Sequence, residues 1–249
     1  MTAATLPDRL RITPLASGLA VAAALILGAA LTQRGPASVP VPLPEMAEVP
    51  VLLASGAVLH VQRYEVTVAE WNRCHAADGC SLAIHTREGL DPAITPATGL
   101  SHADTQEYLR WINSATGQAF RLPSLEEWQQ MARTVLPDKA DPLFTDPALT
   151  WASAYLTEGL APRALRPQGS FAASPEGIAD LDGSVWEWTH DCYAGSAEGL
   201  DPTRCPAFFV GGEHIAAMFY LVRDPARGGC AVGVPPAHLG MRLVSDDPL

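Results

Sequence analysis

Several stretches of the chain carry an apolar pattern regular enough to predict an element. Residues 12–33 hold no charge and are mostly Ala, Leu, Val and Ile, a run long enough to span a bilayer as a helix. Short apolar runs from Val51 to Tyr64 predict opening strands. Three helix starts follow, each marked by a hydroxyl residue with a carboxylate three positions later: Thr67 with Glu70, Ser101 with Asp104, and Ser124 with Glu127. That spacing lets side chains satisfy the free amides of a first turn. Behind the caps, Trp71 and Cys74 share one face. Tyr108, Trp111, Ile112 and Ala115 recur at helical spacing until Gly117, and Leu125, Trp128, Ala132 and Val135 do so until Pro137.

The densest stretch is 177–189. Asp182-Gly183 is a turn signal. After it, Val185 and Glu187 alternate with Trp186 and Trp188, the pattern of an extended piece with one buried face. Gly240-Met241-Arg242-Leu243-Val244 predicts a final strand. Residues 1–50 are expected to stand outside the fold, as a cytoplasmic segment (1–11), the apolar run (12–33) and a Pro-rich spacer (34–50). One globular domain then fills 51–249. Arg9 and Arg11 precede the apolar run and orient the body to the far side of the membrane. Whether the run is an anchor or a cleaved signal peptide stays open, since Ala29, Ala30 and Ala37 offer small residues to a peptidase.

Composition narrows the partners. The net charge of −11 leaves no basic surface to neutralise phosphates, which argues against nucleic acid. Charged residues are only 17% of the chain, and 22 Pro with 20 Gly make the domain loop-rich. Of five cysteines, Cys74 with Cys80 and Cys192 with Cys205 form two locally spaced pairs, expected as disulfides in an oxidising compartment. Cys230 is left over. No pair has the CxxC spacing of a zinc site.

The stretches Glu65-Val66-Thr67, Arg121 to Trp128, Gly183 to Thr189 and Gly240 to Val244 occur in the order found in the formylglycine-generating enzyme (sulfatase-modifying factor) family, which the chain resembles over roughly residues 51–249. The resemblance implies an α+β, C-type-lectin-like fold. It also implies a calcium site made by the Asp180 side chain, the Gly183 and Val185 carbonyls and the Glu187 carboxylate, because hard Ca²⁺ takes several oxygens from a flexible loop.

In catalytic members a copper-binding cysteine pair follows an Arg-Gly-Gly-Ser stretch. Here that stretch resembles Val210-Gly211-Gly212-Glu213, and counting on to Arg223 puts the two cysteine positions on Ala216 and Leu221. Neither side chain binds copper, so formylglycine generation and a copper cofactor are not expected. Among family branches, the chain is most similar in character to NirV-type proteins associated with copper nitrite reductase. That similarity implies a periplasmic, non-catalytic accessory module with a protein partner, perched on the membrane or released from it. The rival expectation is a metal-dependent oxidoreductase assembled in the same cleft from Glu213, His214 and Cys230. A carbohydrate binder, by lectin analogy, ranks last.

Overall fold

A computed structural model describes residues 40–136, 164–193, 205–213, 215–224, 230–232 and 238–249. The chain divides into two units at Pro40/Val41. The apolar run 12–33 and the segments before it lie outside the described residues. Among those described, no helix is long and apolar enough to cross a membrane.

Helices α1 (Val68–Ala76), α2 (His102–Thr116) and α3 (Leu125–Ala132) start where the caps place them. In all three, the hydroxyl accepts from the third residue's N–H while that residue's carboxylate accepts from the cap's own N–H. Gly117 ends α2 at φ 72°, a left-handed conformation that costs glycine nothing. Helix α3 stops at Ala132, short of Pro137, and a turn with Val135 N–H on the Ala132 carbonyl closes it.

The strands form two sheets. One has three strands in the order β1 (Val51–Leu52), β2 (Val58–Val61), β8 (Val244–Ser245), all antiparallel. The other has five, in the order β6 (Cys230–Val232), β5 (Ala216–Phe219), β4 (Ala207–Gly211), β3 (Val185–Tyr193), β7 (His238–Gly240). Among the described residues, only the β3–β7 pairing is parallel. Two corrections to the sequence reading follow. The expected final strand 240–244 is divided: Gly240 ends β7 in one sheet, Val244 opens β8 in the other, and residues 241–243 cross between them. Strand β3 is buried on both faces from Val185 to Thr189, because Glu187 faces an arginine rather than water.

Residues 41–50, expected as spacer, belong to the domain. Val41 and Met46 pack on the core, Met46 bridges to Gln62, and the Ala47 N–H donates to the Val61 carbonyl at 2.8 Å. Prolines at 42 and 44 hold this arm extended, and its free backbone groups add to the edge next to β2.

Two apolar clusters result. The larger joins α1 and α2 to the five-stranded sheet through Trp71, Tyr108, Ile112, Trp188 and Met218. The Trp71 and Tyr108 rings stack at 5.4 Å. Buried indole N–H groups need acceptors: that of Trp71 donates to the Leu82 carbonyl and that of Trp188 to the Leu100 carbonyl, each at 2.7 Å. The smaller cluster places Trp128 and Met131 of α3 against Leu59, Val61, Ile178 and Leu181. Disulfides Cys74–Cys80 and Cys192–Cys205 are both formed, which points to a protein folded outside the cytoplasm.

Candidate functional site

Where the chain crosses between its two sheets, charge is buried in the core. Arg242 and Glu187 are fully inaccessible to solvent. Arg242 Nε donates to both Glu187 oxygens at 3.0 and 3.1 Å, and Nη2 donates to Oε1 at 2.7 Å. The remaining guanidinium hydrogens go to the carbonyls of Gln62, Arg63 and Ala179. Trp128 Nε1 completes the carboxylate, donating to Oε2 at 2.9 Å. A buried ion pair is tolerated when every donor and acceptor is matched, and here they are.

Glycines admit the indole. Glu187 lies opposite Gly211 on β4 and Gly240 on β7. A Cβ on Gly211 would fall 2.1 Å from the Trp128 ring, and one on Gly212 would fall 2.4 Å from that of Trp186. The Gly-Gly pair is therefore a bed for two tryptophans.

Beside this pair, Glu65 is buried with Oε2 3.8 Å from Arg242 Nη2 and without a hydrogen-bond partner among the described residues. Burial pushes its carboxyl up to about 8, with Arg242 pulling down and Glu187 and Asp180 pushing up. Glu65 lines a narrow cleft with Asp180, Ser184, Val185, Arg166 and Phe171. Asp180 holds a left-handed backbone at φ 67°. Its oxygens accept from the N–H groups of Gly169 (2.6 Å) and Phe171 (2.8 Å), and its carbonyl accepts from Gly183 N–H at 2.8 Å. The loop expected to hold calcium is thus clamped by its own backbone.

The structure brings Asp180 and Val185 to that cleft, but Glu187 does not line it. A cation using Glu187 would have to displace Arg242, so the four-residue ligand set expected from the sequence does not fit as a unit. Among the described residues no three His, Cys, Asp or Glu side chains gather as a metal site.

The positions expected to match the family's cysteines, Ala216 and Leu221, fall on the β4–β5 hairpin and the turn after it. Ala216 is buried in β5, while Leu221 is 57% exposed beside exposed Phe219 and Tyr220. The turn is tied to the start of α2, where Ala103 N–H donates to the Tyr220 carbonyl and Arg223 Nε donates to Asp104 Oδ2 at 2.7 Å. Burial pushes the Asp104 carboxyl up, but the Arg223 and Ser101 hydrogen bonds outweigh it and hold it below the usual range. Of the rival metal trio, Glu213 is half-buried in the hairpin turn and His214 lies outside the described residues. Cys230 is placed only as the backbone partner of Met218. Nothing described brings the three together.

Sequence reasoning missed three members of this region. Arg242 was detectable as a lone cation within an apolar strand pattern, and Glu65 as a carboxylate in the run leading to α1. His102 carried no signal beyond its place after a cap. It is buried, its ring stacks on Phe208 at 3.5 Å and meets Trp188 edge-on at 5.6 Å, and its Nε2 has no partner among the described residues. Burial lowers its pKa to about 4, with the Thr189 backbone opposing and His190 assisting, so it is neutral at physiological pH.

Comparison with known proteins agrees with this geometry. A formylglycine-generating enzyme from Mycobacterium tuberculosis (strain ATCC 25618 / H37Rv) is 29% identical over 183 residues, 63% of this chain and 59% of that protein's length. The match therefore spans less than two thirds of that relative. In structure, PvdO from Pseudomonas aeruginosa superposes with a TM-score of 0.50 at 18% identity, covering 81% of this chain and 92% of PvdO. CarF superposes with a TM-score of 0.52 at 16% identity, covering 84% and 100%. At such identities these two show the fold alone. The family description "Sulfatase-modifying factor enzyme 1-like domain" matches residues 29–247, and the chain belongs to that family.

Proposed function

We propose that this protein is an exported, non-catalytic member of its family, a periplasmic accessory module that binds a protein partner during maturation of a metalloenzyme such as a copper nitrite reductase. One observation carries this reading. The two positions onto which the resemblance places the family's copper-binding cysteines are Ala216 and Leu221, a buried methyl and an exposed isobutyl group, neither of which binds a metal. The supporting frame around them is kept. The apolar run 12–33 holds the module at the outer face of the inner membrane or directs its release there. Any calcium is structural and held from the Asp180 side, with the Gly183 and Val185 carbonyls, while Glu187 stays with Arg242.

Metal analysis of the purified full-length protein tests the reading. Calcium alone, or no metal, is the expected result, together with measurable binding to a copper nitrite reductase by calorimetry. Stoichiometric copper or iron that disappears in His214→Ala would overturn it in favour of an oxidoreductase built from Glu213, His214 and Cys230.

A further inference from the structure

A cavity of about 180 Å³ opens between the end of β2, the first turns of α1 and the segment around Gln168. Glu45, Gln62, Tyr64, Glu70, Arg73 and Gln168 are among its walls. It is smaller than the roughly 300 Å³ at which pockets for drug-sized ligands begin, which suits a molecule the size of an amino acid.

Its polar groups are only partly used by the protein. Gln62 is 2% exposed, and its Oε1 accepts from Leu243 N–H at 3.1 Å. Gln62 is one of the cavity's walls, and no acceptor for its amide Nε2 is found among the described residues. An amide N–H without an internal partner is available to donate to a ligand there. Glu70 spends Oε2 on the Thr67 N–H and hydroxyl and keeps Oε1 free. Glu45 gives Oε1 to Arg63 and keeps Oε2 free. Arg73 donates Nε to the Ala69 carbonyl and pairs with no carboxylate among the described residues.

We propose that this cavity binds a free α-amino acid in its zwitterionic form. The ammonium group is held by Glu45 and Glu70, and the carboxylate by the Arg73 guanidinium and the Gln62 amide. Two carboxylates with spare oxygens are the acceptors an ammonium needs. A guanidinium fork matches a carboxylate with two parallel hydrogen bonds. A neutral sugar would leave both charges unmatched, and a phosphate would be repelled by the two glutamates.

Calorimetric titration of the full-length protein with each of the twenty amino acids, with propionate, with ethylamine and with glucose tests the proposal. At least one amino acid should bind at one per chain, ten or more times tighter than either singly charged analogue. Arg73→Gln and Glu45→Gln, both at exposed positions, should each weaken it at least tenfold with an unchanged circular dichroism spectrum. Absence of binding by every amino acid, unchanged affinity in either variant, or preference for glucose would overturn the proposal. Should a variant unfold, modification of wild-type Arg73 by phenylglyoxal decides: protection by the bound amino acid supports the site, and equal modification with and without it overturns the site.

Discussion

The Glu187–Arg242 crossing and the Phe219–Leu221 turn belong to the same five-stranded region yet are built on opposite principles. At the crossing, every polar atom of the ion pair has a partner, glycines make room for two indoles, and water is excluded. At the turn, three large apolar side chains face solvent, and the hold on α2 is one backbone bond and one ion pair. The first can change only at the expense of the fold. The second can change freely, and the resemblance places one of the family's two cysteine positions, Leu221, in it. On the proposed reading, architecture and chemistry are separable in this protein.

Substitutions should reproduce the contrast. Arg242→Met leaves Glu187 buried without its cation and should cost about 3–5 kcal/mol in urea unfolding, or abolish folding. A loss under 1 kcal/mol would mean that the crossing is not the keystone described. Gly211→Ala drives a methyl into the Trp128 ring and should cost about 1–3 kcal/mol, with a change in tryptophan fluorescence. Asp104→Asn weakens both the α2 cap and the Arg223 contact, at about 1–2 kcal/mol. At the turn, Leu221→Ser should change stability by no more than about 0.5 kcal/mol.

A pH series sharpens the comparison. His102 has a folded pKa of about 4, below its ordinary 6.5, so the unfolded chain binds the proton more readily. Its contribution to stability is present above 6.5 and is lost as pH falls toward 4, at a slope of up to about 1.4 kcal/mol per pH unit. Asp104, held low, adds to the loss at the acid end. His102→Phe keeps the aromatic stack and should flatten the slope between pH 6.5 and 4. An unchanged slope would mean that the imidazole reaches water after all.

The helices were legible because a capping box is a local device: four residues of sequence contain both partners. The sheets were less so. Nothing near Gly240 announces that β7 must end there, since its cause is Arg242 turning toward Glu187, Gln62 and Arg63, residues distant in sequence. The same pairing explains why the alternation at Val185–Trp188 gave only one buried face and why Glu187 was assigned to a cation: the cation is there, as a guanidinium. Residues 41–50 read as spacer because prolines signal extension equally in a linker and in an arm bonded to a sheet edge. His102 was invisible because its aromatic partners come from other strands.

Oxygen uptake by the full-length protein, given excess copper and a cysteine-containing peptide of the kind sulfatases carry, tests most directly whether a kept scaffold has lost its chemistry. With Ala216 and Leu221 in place of the cysteines, the account requires no uptake above the copper-only background and no aldehyde in the peptide. Turnover of the peptide to an aldehyde would contradict it.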